Sequence, residues 1–299
     1  MSKLLLMNCN YYSYEDSIFN LKIRGNKTIN FSKKYLKIFK HHEVIKITWE
    51  DKIRDITNNK SLFSDILSKD IHPIKYNFNE IILNKKYFVK KKFGSNGQNI
   101  FILKGSEIKK KDIENYIIQE YIEPDLISDK KYDIRLYYFV IRYKNRLSTW
   151  FSHNGKIRLC NEAHKDGGEI CNSSLIENLP DEEKDKLQGN LSNLFLEDKT
   201  KIFNLMVEFD KQFKNAIRNN TNENYVNLYG IDIIKDINGV YKIIEANGNP
   251  SWQNNTDNKD NHDLKTKILD EILKILSNFF NNKNYSIINW HRMELEKIN

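Results

Sequence analysis

The sequence has few cysteines and no long apolar segment. Its three cysteines, Cys9, Cys160 and Cys171, are an odd and sparse set whose spacing fits no zinc site, which favours a reducing compartment. No apolar run approaches the roughly 20 residues that span a bilayer, and the N-terminus shows no small-residue cleavage site. We therefore expect a cytoplasmic protein with neither a membrane span nor a secretion signal.

Internal repeats and recognisable nucleic-acid-binding modules are also absent from the sequence. The 48 Lys and Arg against 40 Asp and Glu leave a net charge of +8, which suggests attraction to a polyanion such as an acidic peptide, a nucleotide or a nucleic acid. Because the lysine excess runs uniformly along the chain, we expect no specific nucleic-acid partner. The 299 residues, 39% of them hydrophobic, suffice for about two folded domains.

Hydrophobic periodicity predicts a small N-terminal α/β domain over residues 1–75, with a boundary next to Pro73. Its predicted elements are strands over 3–7 and 44–49 and helices over 31–39 and 61–68. The later elements are strands over 87–91, 100–103, 117–122, 133–142, 147–153, 229–234 and 240–246, helices over 111–116, 201–217 and 264–280, and a polar helix that begins at Pro180. Most of these strands pair as hairpins, the last one turning at the Asn-Gly pair that ends at Gly239.

A glycine-rich loop joins the strands over 87–91 and 100–103. Lys90 lies on the strand that leads into this loop, whose residues are Gly94, Ser95, Asn96, Gly97 and Gln98. A phosphate tail needs backbone N–H donors at close range and a cation, and glycines beside a lysine provide both. The loop has neither Walker nor Rossmann spacing, so it is either a flap over a nucleotide or an ordinary hairpin tip with solvated lysines.

Two carboxylates and an amide lie on the last predicted hairpin. Asp232 is surrounded by apolar residues on one strand, and Glu245 and Asn247, two residues apart on the other, project from the same face. Buried carboxylates are costly unless they are paired or bind a metal, and hard oxygen donors of this kind suit Mg²⁺. The alternative is that they pair with arginines in a structural network.

Charged residues alternate with apolar ones on the strand over 133–142 and just before it. Lys131, Asp133 and Arg135 share one face, and Arg158 follows the second strand of that hairpin. The planar guanidinium suits carboxylate and phosphate recognition, although surface salt bridges would also explain both arginines.

In this order the segments resemble the ATP-grasp superfamily, and more closely its tubulin tyrosine ligase-like branch. The resemblance covers about residues 85–280 and rests on five blocks: Phe88-Val-Lys90 with the glycine loop, Ile118-Gln119-Glu120-Tyr121-Ile122-Glu-Pro124, Lys131-Tyr-Asp133-Ile-Arg135, Gly155-Lys-Ile-Arg158, and Gly230-Ile-Asp232 with Glu245-Ala-Asn247. It implies an α+β ATP-grasp fold, in which two subdomains clasp ATP, over residues 76–299 after the small N-terminal domain. The subdomains would be 76–124, with the flap, and 125–299, with the metal site.

The resemblance also implies roles for these residues. Lys90 would contact the nucleotide phosphates under the loop from Gly94 to Gln98, although Asn96 stands where the ligases often carry a second lysine. The adenine slot would be lined by Gln119 and by the backbone of Glu120, Tyr121 and Ile122. Lys131 and Asp133 would lie near the ribose and phosphates. Asp232, Glu245 and Asn247 would hold Mg²⁺ or Mn²⁺, and Arg135 and Arg158 would face the acceptor carboxylate and the transferred phosphoryl group.

By the same resemblance, the activity is that of an ATP- and Mg²⁺-dependent carboxylate–amine ligase, which forms an acyl phosphate and then an amide. The expected substrates are an amino acid and a protein or peptide acceptor. If the acceptor has an acidic tail, the basic segment over 33–46 would attract it. A small-molecule or peptide ligase of the glutathione synthetase-like type, and an ATP-binding pseudoenzyme, are the alternatives. The sequence leaves the amino acid, the acceptor and the oligomeric state open.

Overall fold

A computed structural model describes residues 11–15, 18–23, 27–32, 51–93, 99–110, 113–143, 146–160, 162–164, 188–190, 198–220, 225–248, 259–280, 290–293 and 296–297. Its strands are β1 (Tyr11–Glu15), β2 (Ile18–Ile23), β3 (Lys27–Ser32), β4 (Lys75–Tyr76), β5 (Lys86–Lys91), β6 (Ile100–Lys104), β7 (Tyr116–Glu120), β8 (Leu126–Ile127), β9 (Lys130–Tyr143), β10 (Arg146–Leu159), β11 (Gln188–Asn190), β12 (Tyr225–Lys235), β13 (Tyr241–Asn247), β14 (Trp290–Arg292) and β15 (Glu296–Lys297). Its α-helices are α1 (Asp51–Asn58), α2 (Lys60–Ile66), α3 (Lys199–Asn220) and α4 (Lys259–Phe280), and two 3-10 turns cover Phe78–Glu80 and Gly105–Glu107.

The strands within the described ranges form three sheets. The largest has the order β11-β10-β9-β12-β13, with β8 paired to β9 and with β14 and β15 paired to β10. A four-stranded sheet has the order β4-β7-β5-β6, and β1, β2 and β3 form an antiparallel meander. Together with the helices, the two larger sheets make up an α+β fold, as the sequence predicts.

One face of the largest sheet packs against helices. The even-numbered residues of β9 from Tyr132 to Val140 are buried together with the apolar stripe of α3, and the Tyr138 ring lies edge-on to Phe209 with the centroids 5.2 Å apart. Because side chains alternate along a strand, the odd-numbered Lys131, Asp133 and Arg135 point to the other face. Burying the α3 stripe therefore also fixes which face carries the charged residues.

The helices α1 and α2 belong to the same core. Ile53 and Ile56 of α1 and Phe63 of α2 are buried in the cluster that contains β9 and α3, and so are Leu67 and Ile71 after the helices. Residues 53–71 thus do not form a separate core, although they fall within the predicted N-terminal domain. The proposed domain division at residue 75 stays a prediction.

The second face of the largest sheet is covered at one end by α4. There Trp290 donates its indole N–H to Glu271 of α4 at 2.8 Å, and its ring lies 6.4 Å from Phe139 of β9. The opposite end of this face, at Lys131, Asp133 and Arg135, is where the charged residues lie. None of the described helices is both long and apolar enough to cross a membrane.

The periodic segments of the sequence are largely confirmed, and three of the local predictions are wrong. Phe31 lies in strand β3 rather than in a helix, and Tyr116 begins strand β7 where a helix was expected over 111–116. Arg158 lies inside β10 and not after it, because a bulge between Phe151 and Gly155 lets the strand continue. The expected strands over 3–7 and 44–49 and the helix at Pro180 lie outside the described residues.

Cys160 follows β10 directly. It is buried and disulfide-bonded. This differs from the free thiols that a sparse, odd set of cysteines predicts.

Candidate active site

Four neighbouring strands bring the acidic and basic residues to one face of the largest sheet. In the register, Asp232 of β12 lies opposite Arg135 of β9 and opposite Glu245 of β13, while Arg158 of β10 lies opposite Asp133. Directly after the pair of Asp232 and Glu245, a β-bulge shifts the register between β12 and β13. The structure therefore brings together the arginines and carboxylates that the sequence places on separate segments.

Asp232 is held by two arginines and an amide. Arg135 donates Nε–H and Nη2–H to its two carboxylate oxygens, the second at 2.7 Å, and Arg158 Nη2 lies 2.9 Å from Oδ1. Asn247 donates Nδ2–H to Oδ2 at 3.1 Å. Burial acts to raise the pKa of the Asp232 carboxyl, but the positive charges of Arg135 and Arg158 outweigh it and hold that pKa below its ordinary value.

Asp133 continues this chain of alternating charges. It accepts a hydrogen bond from Nε of Arg158, whose Nη2 reaches Asp232, so the order is Asp133, Arg158, Asp232, Arg135. Burial raises the pKa of the Asp133 carboxyl; Arg158 opposes that rise and the nearby negative charge of Asp232 adds to it. Both arginines thus face carboxylates of the protein in this structure: Arg135 binds Asp232 in a bidentate way, and Arg158 bridges Asp133 and Asp232.

Glu245 lies at the edge of this network and meets a residue that sequence reasoning missed. Lys60, at the start of α2, has its Nζ 3.9 Å from Glu245 Oε1. Its backbone N–H donates to the Lys92 carbonyl at 2.9 Å, which ties α2 to the strand segment before the glycine loop. Burial raises the pKa of the Glu245 carboxyl. The helix that carries Lys60 begins after an N-cap at Asn59, and a cap gives no sign of a site.

The lysines of the nucleotide-binding prediction surround one aromatic ring. Lys90 Nζ and Lys131 Nζ each lie 5.1 Å from the Phe88 ring centroid, and Tyr121 stacks on Phe88 at 5.2 Å. Burial lowers the pKa of Lys90 to about 8; Glu245 opposes this, and Lys131 and Lys60 add to it. A half-buried cluster of like charges is suited to an anion that would relieve its repulsion.

Gln119 makes buried hydrogen bonds to two polar residues, and its place in the adenine slot stays a prediction. Its buried side chain donates from Nε2 to Ser64 Oγ at 3.1 Å and contacts His72 Nε2 at 2.9 Å. The register places it opposite Phe88, on the sheet face that also carries Lys90. The sequence analysis singled out neither Ser64 nor His72, because each is an isolated polar residue whose partners are distant in the chain.

The residues after Gln119 form the connection between the two larger sheets. Glu120 donates its N–H to the Ile74 carbonyl at 2.8 Å, and its carboxylate accepts from Lys242 at 3.1 Å. Tyr121 Oη lies 3.4 Å from His164 Nε2, and Ile122 is buried. The predicted loop residues Gly94, Ser95, Asn96, Gly97 and Gln98 lie outside the described residues.

The donor set of Asp232, Glu245 and Asn247 fits a divalent cation in its chemistry. Two carboxylates opposite each other and an amide oxygen two residues away are hard oxygen ligands. No cluster of three or more His, Cys, Asp or Glu that could hold a metal occurs in the described part of the chain, this site included. Because both oxygens of Asp232 already accept hydrogen bonds from Arg135, a cation would have to displace at least one of these hydrogen bonds.

Comparisons with known proteins show the family and the fold. The sequence model of the tubulin-tyrosine ligase family matches residues 22–285, a longer stretch than the resemblance read from the motifs. The structure is similar to the C-terminal domain of K. lactis Pby1, described as an ATP-grasp enzyme interacting with the mRNA decapping enzyme Dcp2, with a TM-score of 0.56 at 15% identity over 82% of this chain and 81% of that one. The likeness shows the fold, which is the ATP-grasp fold that the sequence predicts. No curated protein matches the sequence.

Proposed function

Because the chain belongs to the tubulin-tyrosine ligase family, we propose that it is an ATP- and Mg²⁺-dependent carboxylate–amine ligase that adds an amino acid to a protein or peptide. One observation supports this most directly. Lys60 and Lys90 lie near Glu245, which is paired across the strands with Asp232, and Lys131 lies near Lys90, so cations and hard oxygen donors occur in one site. A nucleoside triphosphate with its metal is the ligand that needs both.

The proposed reaction has two steps. An oxygen of the acceptor carboxylate attacks the γ-phosphorus of ATP, the bond to the bridging oxygen breaks, and ADP leaves, which gives an acyl phosphate. The amine then attacks the acyl carbon, phosphate leaves, and the nitrogen loses a proton to give the amide. Neither step needs a covalent nucleophile from the protein, so positioning and charge stabilisation supply the catalysis.

The protein groups act on charge in both steps. Lys90 and Lys131 would offset the phosphate charge, with Lys60 approaching from α2. Arg135 and Arg158, whose donors now bind carboxylates of the protein, have the geometry to bind the acceptor carboxylate. Asp232, Glu245 and Asn247 would hold Mg²⁺, which neutralises phosphate charge when bound.

The test is ADP release by the purified protein across a panel of amino acids, with acidic peptides and tubulin as acceptors. We expect release that requires Mg²⁺, one amino acid and a polypeptide together. Glu245→Gln should abolish most of it, whereas Lys211→Met, on the exposed surface of α3, should not. Release with free amino acids alone would favour a small-molecule ligase, and ATP binding without release under any condition would favour a pseudoenzyme.

A further inference from the structure

His72 lies at the junction of three elements of the nucleotide site. It is 2% exposed and follows α2, and its Nδ1 is 2.6 Å from the carbonyl oxygen of Ile243 in β13. Its Nε2 is 2.9 Å from both Ser64 Oγ in α2 and Gln119 Nε2 in β7. One ring therefore joins the strand of Glu245 to the strand of the proposed adenine slot.

The hydrogen-bond partners assign the tautomer of His72. A carbonyl oxygen can only accept, so Nδ1 carries the proton that Ile243 accepts, and Nε2 of the neutral ring is an acceptor. Burial, the largest influence, lowers the pKa of His72 to about 3, which keeps the ring neutral at physiological pH. Because Nε2 is an acceptor, the Gln119 amide must turn a nitrogen toward it.

Ser64 lies between two acceptors. Its single hydroxyl proton has the Lys60 carbonyl at 2.8 Å and His72 Nε2 at 2.9 Å as partners, and with either choice its oxygen can accept the second N–H of Gln119. Both amide protons of Gln119 are then used. The amide oxygen points away from His72 and Ser64, since the two amide atoms diverge from one carbon, and no described protein group donates to it.

Gln119 lies on the sheet face that also carries Phe88 and Lys90, so this face is turned toward the proposed nucleotide. Adenine offers an N–H donor at its 6-position, whereas guanine offers an acceptor oxygen there. A fixed carbonyl oxygen suits the first base and repels the second. A Gln119 amide that was free to rotate would accept both.

We propose that His72 is a positioning residue for nucleotide selection, which fixes the Gln119 amide so that its oxygen faces the base and favours adenine over guanine. The inference rests on the proposed function, because it needs the nucleotide to bind on this face. It adds a specificity role for a residue that contacts no substrate.

Two variants separate the two hydrogen bonds of the ring. His72→Asn keeps a donor at the position of Nδ1 and removes the acceptor at Nε2. His72→Gln keeps an acceptor near the position of Nε2 and loses the hydrogen bond to the Ile243 carbonyl. Calorimetry with Mg²⁺ and either ATP or GTP, without an acceptor, gives the ratio of the two dissociation constants. We expect wild type to prefer ATP, H72N to lose about tenfold or more of that preference, and H72Q to keep most of it.

Ser64→Ala is the matched control, because it removes a buried hydroxyl from the same network and leaves the His72 acceptor in place. It should lower thermal stability and keep the ATP preference. An unchanged ratio in H72N, or an equal loss in H72Q and H72N, would overturn the role of His72.

A second measurement does not depend on the folding of any variant. Nitrogen chemical shifts of His72 in ¹⁵N-labelled wild type should show the neutral tautomer with the proton on Nδ1, and a proton on Nε2 would overturn the inference. Wild type that binds ATP without preference over GTP would also overturn it while leaving the ligase proposal standing. Wild type that binds neither nucleotide would instead remove the proposed function and, with it, this role of His72.

Discussion

At the scale of single residues, Asp232 has a structural role besides the metal binding that its sequence context suggests. It is the central anion between Arg135 and Arg158, and all three side chains are largely buried. Glu245, the other proposed metal ligand, has a side chain that is 34% exposed, and its ion pair with Lys60 is long, at 3.9 Å. Two carboxylates with similar proposed functions therefore differ in what they contribute to folding.

We expect Asp232→Asn to lower both turnover and the free energy of unfolding, the latter by about 3 kcal/mol, because two buried guanidinium groups lose their shared counter-charge. Glu245→Gln should lower turnover by more than tenfold, which is about 1.4 kcal/mol of barrier, and change unfolding by less than about 1 kcal/mol. Urea unfolding and ADP release on the same preparations measure both quantities. Equal stability of the two variants would contradict the structural role of Asp232.

Lys90 gives a prediction about pH. Its pKa in the folded protein is about 8, below the ordinary value of 10.5, so between these two values the unfolded chain binds more protons. The free energy of unfolding that Lys90 contributes must therefore rise with pH across that window and be flat below it. Urea unfolding of wild type and Lys90→Met from pH 7 to 10 should show wild type gaining on the variant above pH 8. A constant difference between them would show that the Lys90 amine is not desolvated.

At the scale of elements, the hairpin of β12 and β13 carries Asp232, Glu245 and Asn247, and its turn fixes their register. Asp236 accepts backbone hydrogen bonds from Asn238 at 2.9 Å and Val240 at 2.7 Å. Gly239 has φ of +78°, where a Cβ would meet only flexible side-chain atoms, Lys201 Nζ at 3.5 Å and Lys235 Cε at 3.9 Å. The requirement for glycine here is therefore conformational and not a matter of space.

Gly239→Ala should destabilise the protein by about 1 kcal/mol, because an L residue with a Cβ adopts this conformation reluctantly. Gly239→Asn should cost less, since asparagine tolerates positive φ better than alanine does. Thermal unfolding of the two variants gives the order. If alanine were the better tolerated of the two, the turn would not hold Gly239 in the left-handed region.

At the scale of the whole molecule, helices α1 and α2 contribute to the core and to the site, although they lie within the predicted N-terminal domain. Residues of α1 and α2 pack into the core of the largest sheet, and Lys60 from α2 reaches Glu245. The sequence places a run of lysines shortly before these helices, over residues 33–46, and this whole segment lies outside the described residues. That order along the chain makes this segment a candidate for binding an acidic acceptor.

Neutralising Lys33, Lys34, Lys37 and Lys40 should raise the Michaelis constant for an acidic polypeptide acceptor and weaken its dependence on salt, because surface attraction is screened by ions. The constant for ATP should not change. A control with the same net charge neutralises four exposed lysines elsewhere: Lys85, Lys109, Lys110 and Lys211. If the Michaelis constant for the acceptor rose equally in both quadruple variants, the effect would come from net charge alone. If it changed in neither variant, a small-molecule acceptor would be favoured.

The sequence by itself determined the elements whose side chains repeat with a clear period. Alternation on β9 separated Asp133 and Arg135 from the core, and the two-residue spacing of Glu245 and Asn247 put both on one face, with Ala246 buried on the other. The Asn-Gly turn located the hairpin. These features depend on neighbours along the chain, so local chemistry is enough to predict them, and the ordered motifs were enough to indicate the ATP-grasp fold.

Only the tertiary structure decided which charges meet. Arg135 and Asp232 are 97 residues apart, and their contact depends on how β9 and β12 align, which neither strand encodes alone. The same holds for His72, whose partner Ile243 is 171 residues away, and for Lys60 beside Glu245. A bulge in β10 brought Arg158 into the strand opposite Asp133. Charge pairing and tautomer depend on distances between segments that are remote in sequence, and those distances are set only when the sheets and helices pack.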